Sequence, residues 1–136
     1  MRIKLLLFYI GLCVLFVNCD SSKPQSDLAQ FKEYIYSHTQ GEISKADPIV
    51  FRLVKPVKAF EVNQEITAEV LRFKPKVEGK LWLSTDRNLV FEPKENLSSG
   101  QIYEVEVHLD KLYDNIKDEL STFTFEFNTI QPDFKL

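Results

Sequence analysis

The chain has 136 residues, 27% of them charged and 44% hydrophobic, with a formal net charge of −3. That length predicts a single domain, and the acidic balance disfavours a nucleic-acid partner. Two cysteines and two histidines leave little from which to build a metal centre or a thiol-based active site.

The opening Met1-Arg2-Ile3-Lys4 sets two cations ahead of an apolar run from Leu5 to Val17, and polarity returns at Asn18-Cys19-Asp20-Ser21-Ser22. The run is shorter than the roughly 20 apolar residues a spanning helix needs, so it predicts a secretory signal peptide over residues 1–18. Phe16-Val17-Asn18-Cys19 resembles the lipobox of bacterial lipoproteins, with Asn18 where that motif usually has Gly, Ala or Ser. The resemblance implies cleavage just before Cys19, whose thiol already carries diacylglycerol. Cys19 is therefore the expected lipid attachment residue, and each buried acyl CH₂ group contributes about 0.8 kcal/mol to membrane binding.

The expected location is the bacterial cell envelope, with the outer membrane or cell surface favoured and the periplasmic face an alternative. Cys13 leaves with the signal and Cys19 is consumed by lipid, so no cysteine remains for a disulfide, a zinc site or catalysis. The fold must rest on core packing alone, and no cofactor or metal is expected. Loss of Arg2 and Lys4 makes the remaining chain two charges more negative. Its charges are interspersed, as in Lys55, Lys58 and Glu61, which describes a solvated surface.

From Asp20 to Ser26 the sequence is polar and reads as a tether. Between Asp27 and Thr39, Leu28, Phe31 and Ile35 fit helical spacing, whereas Tyr34-Ile35-Tyr36 suits a strand. Both readings stay open, with a strand preferred toward the end. Residues 19–40 are assigned to the lipid-anchored tether and first segment, 41–130 to an immunoglobulin-like β-sandwich, and 131–136 to a C-terminal linker.

Within the sandwich, Ile49 to Val54 follows Pro48 and is closed by Lys55-Pro56, because proline removes a ladder donor. A strand is expected over Ile66–Phe73. Lys80–Ser84 and Leu89–Pro93 flank Thr85-Asp86-Arg87-Asn88 and read as a hairpin. Ile102, Glu104, Glu106 and His108 alternate with Tyr103, Val105, Val107 and Leu109, which predicts one buried and one solvated face. Phe123, Phe125 and Phe127 share one face of the last strand, and these two sets are expected to supply the facing surfaces of a two-sheet core. The spacing of short strands and turns gives the class: all-β, an immunoglobulin-like sandwich.

Searched by mechanism, the chain offers no catalytic residue. His38 and His108 are seventy residues apart in a chain without a free thiol, and His108 falls at an outward strand position, expected to be solvated. Asp110, Asp114 and Asp118 recur every four residues, but calcium loops need closer oxygen ligands and a glycine at the turn. An exposed turn or loop with Leu112 and Tyr113 packing inward is the preferred reading. Leu97-Ser98-Ser99-Gly100-Gln101-Ile102-Tyr103 has the layout of a tyrosine corner, so Gly100 and Tyr103 are structural candidates. Trp82, the sole tryptophan, is expected in the core or half-buried at its margin, with a partner surface as the functional alternative.

Phe91-Glu92-Pro93, Leu97, Gly100, Tyr103-x-Val105-x-Val107 and Phe125-Glu126-Phe127-Asn128-Thr129 resemble the SbsA-type bacterial immunoglobulin-like domain. Across nearly the whole mature chain, Tyr34-Ile35, Gly41-Glu42-Ile43-Ser44, Pro48-Ile49, Phe73 to Lys80 and Asp110 to Asp114 are similar to the N-terminal domain of alpha-2-macroglobulin-family lipoproteins of Bacteroidetes-like bacteria. The resemblance implies an endopeptidase inhibitor that traps proteases through a bait segment and, in some members, a Cys-x-Glu-Gln thioester. Neither cysteine here is followed by x-Glu-Gln, and no bait segment can be placed.

The expected function is thus that of a lipid-anchored, non-catalytic module at the N-terminal part of such a protein. The alternative is a stand-alone adhesion or carbohydrate-binding lipoprotein. Expected partners are the membrane through the N-terminal lipid and the following domains or other envelope proteins; proteases are met only through a larger protein.

Overall fold

The computed structural model describes residues 24–133; the expected signal segment, Cys19 and the last three residues lie outside them. Eight strands form: β1 (Ile35–His38), β2 (Gly41–Ile43), β3 (Ile49–Leu53), β4 (Leu71–Lys74), β5 (Gly79–Thr85), β6 (Asn88–Pro93), β7 (Ile102–His108) and β8 (Thr122–Thr129). They pair into two four-stranded sheets, ordered β1-β3-β6-β5 and β2-β8-β7-β4. The pairings are antiparallel except for β2 against β8, which run parallel.

That order is the immunoglobulin arrangement. β1, β3, β6 and β5 take the places of strands A, B, E and D, and β4, β7 and β8 those of C, F and G. The first strand switches sheets: after β1 the chain passes through Thr39 and Gln40 and continues as β2 beside β8. Antibody domains brace such a core with a disulfide and a tryptophan on strand C. In this chain the C position holds Phe73, whose ring lies 4.6 Å from Phe91 of the opposite sheet.

Alternation in the sequence produces the core directly. Ile49, Phe51 and Leu53 of β3, Leu81 and Leu83 of β5, and Leu89 and Phe91 of β6 are buried on one inner face. Tyr103, Val105 and Val107 of β7 and Phe123, Phe125 and Phe127 of β8 are buried on the other. The last two sets do not face each other as expected. β7 and β8 are hydrogen-bonded neighbours, so both sets line the same inner face, and the opposing face comes from the other sheet. Phe51 meets Phe125 edge-on across the gap, with ring centroids 5.2 Å apart.

Two boundaries differ from the expectation. The core begins well before residue 41: Phe31 and Ile35 are buried, and Phe31 packs edge-on at 5.1 Å from Phe123. Residues 28–34 form turns that lead into β1, which settles the helix-or-strand ambiguity as turn followed by strand. The run Ile66–Phe73 is not one strand. Ile66 donates its N–H to the Leu81 carbonyl at the margin of β5, whereas Leu71–Lys74 pairs with β7 in the other sheet. The segment crosses from one sheet to the other, and Val70, fully buried, marks the crossing. The hairpin β5–β6 is as expected, closed by Asp86 and Arg87.

Candidate functional site

Three places concentrate side chains that the sequence singles out or that carry unusual chemistry. The first is the corner between β6 and β7. Tyr103 is buried, and its hydroxyl accepts the Ser98 N–H at 3.0 Å, reaching back five residues as the motif requires. Thr129, at the end of β8, donates from Oγ1 to the Ser98 carbonyl and accepts the Gln101 N–H at 3.0 Å. Gly100 adopts φ +63°, where a Cβ is strained, and a Cβ there would also lie 2.2 Å from the Gln131 side-chain oxygen. The corner therefore needs glycine for its backbone conformation, since the exposed Gln131 side chain can swing aside.

The second place is the outer face of the β2-β8-β7-β4 sheet. Glu106 and His108 fall at outward positions of β7, yet Glu106 is only 7% exposed and His108 is half-buried. The expectation of a fully solvated face is corrected by a charge cluster. Glu106 Oε2 lies 3.7 Å from Arg72 Nη1 and 3.9 Å from His108 Nε2, and Arg72 Nε donates to Glu69 Oε1 at 3.0 Å. Hydrogen bonding to Arg72 lowers the Glu69 carboxyl below its ordinary value and raises the guanidinium in return. Period-two reading gives the direction of Glu106 but not the cationic neighbour supplied by β4, a strand thirty residues upstream.

His38 is the third. Its ring lies tilted at 4.5 Å from Phe125 and edge-on at 5.2 Å from Phe123, at the edge where β1 hands over to β2, and Nδ1 donates to the Thr39 carbonyl at 2.8 Å. Burial holds its pKa below 6.5, partly opposed by that hydrogen bond. The folded state therefore binds the proton less readily than the unfolded chain. His38 contributes stability that is complete above about pH 6.5 and is lost as pH falls through that value toward the lower folded one. We expect urea-unfolding free energies measured from pH 7.5 to 5 to fall more steeply for the natural chain than for His38→Phe; parallel profiles would refute the assignment.

The remaining candidates are separated by the fold. Asp110 and Asp118 lie in two distinct 3₁₀ turns, Leu109–Lys111 and Asp118–Leu120, so the three aspartates do not share a helical face. Among the described residues, no three His, Cys, Asp or Glu side chains are placed to hold a metal ion. Leu112 is buried as expected, and Tyr113 donates its hydroxyl to the Lys55 carbonyl at 2.8 Å. Burial, with Tyr34 beside it, pushes the Tyr113 hydroxyl up to about 12.

No family model matches the chain, and no curated protein matches it. Solved structures similar to it include L,D-transpeptidase 3 from Mycobacterium tuberculosis, at 14% identity and a TM-score of 0.48 over 71% of this chain and 37% of that one. The same enzyme with a faropenem-derived adduct gives 14% and 0.48 over 74% and 39%. An L,D-transpeptidase from Mycobacterium tuberculosis H37Rv gives 13% and 0.46 over 71% and 40%. The chain spans about two fifths of the length of each.

Trp82 is not between the sheets. Leu81 and Leu83 turn inward, and Trp82 lies half-buried on the outer face of β5. Sheet register sets it level with Val90 of β6 and Val50 of β3, both outward and half-buried. The row beside it carries Arg52 and Asn88, also in register, with Ser84 accepting from Asn88 Nδ2 at 2.6 Å. The row on the other side pairs Lys80 with Glu92. Alternation reveals that Trp82 opposes its two leucine neighbours, but only the register shows which side chains accompany it.

Proposed function

We infer that the chain is a lipid-anchored, non-catalytic immunoglobulin-like module of a bacterial envelope, forming the N-terminal part of an alpha-2-macroglobulin-like protease-trapping protein. The observation that carries this reading is the convergence of Leu97, Gly100, Tyr103 and Thr129 at one corner, where Leu97 and Tyr103 are buried and Thr129 ties the end of β8 to the chain before β7. Those residues, three before or at the start of β7 and one at the end of β8, are among the ones that carry the resemblance to SbsA-type domains. Their hydrogen bonds stiffen a fold and leave no reactive group free, as suits a module that positions its neighbours.

The entry of the chain supports the anchor. Ser26 donates its N–H to the Thr124 carbonyl at 2.8 Å and accepts the Thr124 N–H on Oγ at 2.9 Å, so the tether is clamped to β8. At about 3.3–3.6 Å per residue, the stretch from Cys19 to Ser26 reaches no more than about 25 Å. A lipid on Cys19 therefore holds the sandwich close to the bilayer.

The test has two arms. Cys19→Ser should move the full-length protein from the membrane to the soluble fraction, and mass spectrometry of the natural protein should find acyl chains on an N-terminal Cys19. An unmodified N-terminus elsewhere would overturn the anchor. In the second arm, endopeptidases are assayed on large protein substrates with and without the full-length chain, which should leave their rates unchanged. Stoichiometric inhibition by this chain alone would replace the module reading with that of an inhibitor acting by occlusion.

A further inference from the structure

We propose that the outer face of the β1-β3-β6-β5 sheet, centred on Trp82, is a binding platform for an uncharged oligosaccharide. It goes beyond the module reading and does not depend on the lipid anchor.

The platform is ordered by the sheet itself. Val50, Val90 and Trp82 lie in register across three adjacent strands and form an apolar row, each side chain half-buried. With strands about 4.8 Å apart, the row spans about 10 Å. Two residues further along the strands lies a hydrogen-bonding row of Arg52, Asn88 and Ser84, and two residues the other way lie Lys80 and Glu92.

A sugar ring has that same division, an apolar face of C–H groups bordered by hydroxyls that donate and accept. Indole offers a flat apolar body to the ring face. Arg52, Ser84 and Glu92 supply donors and acceptors at the border, and Asn88, its Oδ1 enclosed, holds Ser84 in place through Nδ2.

Two features decide among occupants. Lys80 and Glu92 are directly opposite in the β5–β6 register, and Arg52 of β3 and Glu65, bridged to Trp82 at the free edge of β5, add one charge of each sign, so these four charges balance. A strongly charged ligand gains little from such a field, whereas a neutral one loses nothing. Size argues against a protein: a stable interface takes about 800 Å² and 20–30 residues from each partner. An apolar row three residues wide falls well short of that and matches one or two sugar rings.

Trp82 is the only tryptophan of the chain, so its emission reports on this face alone. The full-length protein, held in a detergent without a sugar headgroup, is titrated with cellohexaose, maltohexaose, xylohexaose, mannohexaose and chitohexaose. Tryptophan fluorescence and calorimetry are followed together. At least one sugar should give a saturable change in emission with matching heat. Trp82→Ala should weaken binding about tenfold or more, equivalent to about 1.4 kcal/mol, and Trp82→Phe should keep part of it. Asn88→Ala should weaken it as well.

Thermal melts of each variant establish that the sandwich persists. If no member of the panel changes the emission or releases heat at about 10 mM, weaker than the millimolar end of the affinity scale, the platform reading is wrong. Binding that survives Trp82→Ala would also overturn it. So would an emission change that follows protein concentration without sugar, since that identifies a second copy as the occupant.

Discussion

Phe125→Ala is expected to lower the unfolding free energy by about 3–5 kcal/mol. Phe125 is fully buried on the inner face of β8, with Phe51 of the opposite sheet at 5.2 Å, His38 at 4.5 Å and Phe123 at 5.9 Å. Removing the ring takes away contacts from both sheets at once, and the rigid β7–β8 pair cannot collapse into the space. The described residues contain no cysteine, so no disulfide among them holds the sandwich while the core is empty. Domains of this size have about 5–15 kcal/mol in total, so the loss is a large share and is best read by urea titration at low temperature. A loss below about 1 kcal/mol would place Phe125 on an exposed face and overturn the strand assignment.

Gly79→Ala is the second large effect, and its cause is the opposite one. Gly79 opens β5 opposite Pro93, and a Cβ there would sit 2.3 Å from the Glu92 carbonyl oxygen and 2.6 Å from Phe91 Cζ. A backbone oxygen cannot swing aside as a lysine tip can, so β6 must shift, and with it the Phe91 ring that packs on Phe73. Overpacking of this kind costs about 1–3 kcal/mol. The expected result is a lower melting temperature together with altered near-ultraviolet circular dichroism from the Phe73–Phe91 pair. A variant that melts with the natural chain and keeps its aromatic signal would show that the hairpin has room the geometry denies.

Much of this fold is legible in the residues because one face of each strand is buried. β3, the β5–β6 hairpin, β7 and β8 follow from period-two alternation between proline and turn residues, and the tyrosine corner follows from Gly100 and Tyr103 at the right spacing. Periodicity states which side chains share a face, but it is silent on which sheet a strand joins. That is why β7 and β8 look like opposing walls when they are neighbours, and why the apolar stretch ending in Phe73 looks like one strand when it bridges two sheets. The switch from β1 to β2 is hidden for the same reason. Residues of candidate functional interest suffer most: Glu106 meets the cationic side chain of Arg72 from a distant strand, and Trp82 gains its companions Val50 and Val90 only through register.

The parallel pairing of β2 with β8 also sets how the sandwich answers to pulling. Between residue 24 and residue 131, tension draws β2 back toward its start and β8 forward along its length, so the Gly41–Phe127, Glu42–Asn128 and Ile43–Thr129 pairs slide against each other. Bonds loaded in that geometry share the strain and must give way together, whereas an antiparallel pair pulled from its open end unzips one rung at a time. Mechanical lifetime under load is then set by the rate of crossing that single barrier. The Ser26–Thr124 clamp, upstream on the same strand, bears the tension before β1 and β2 do.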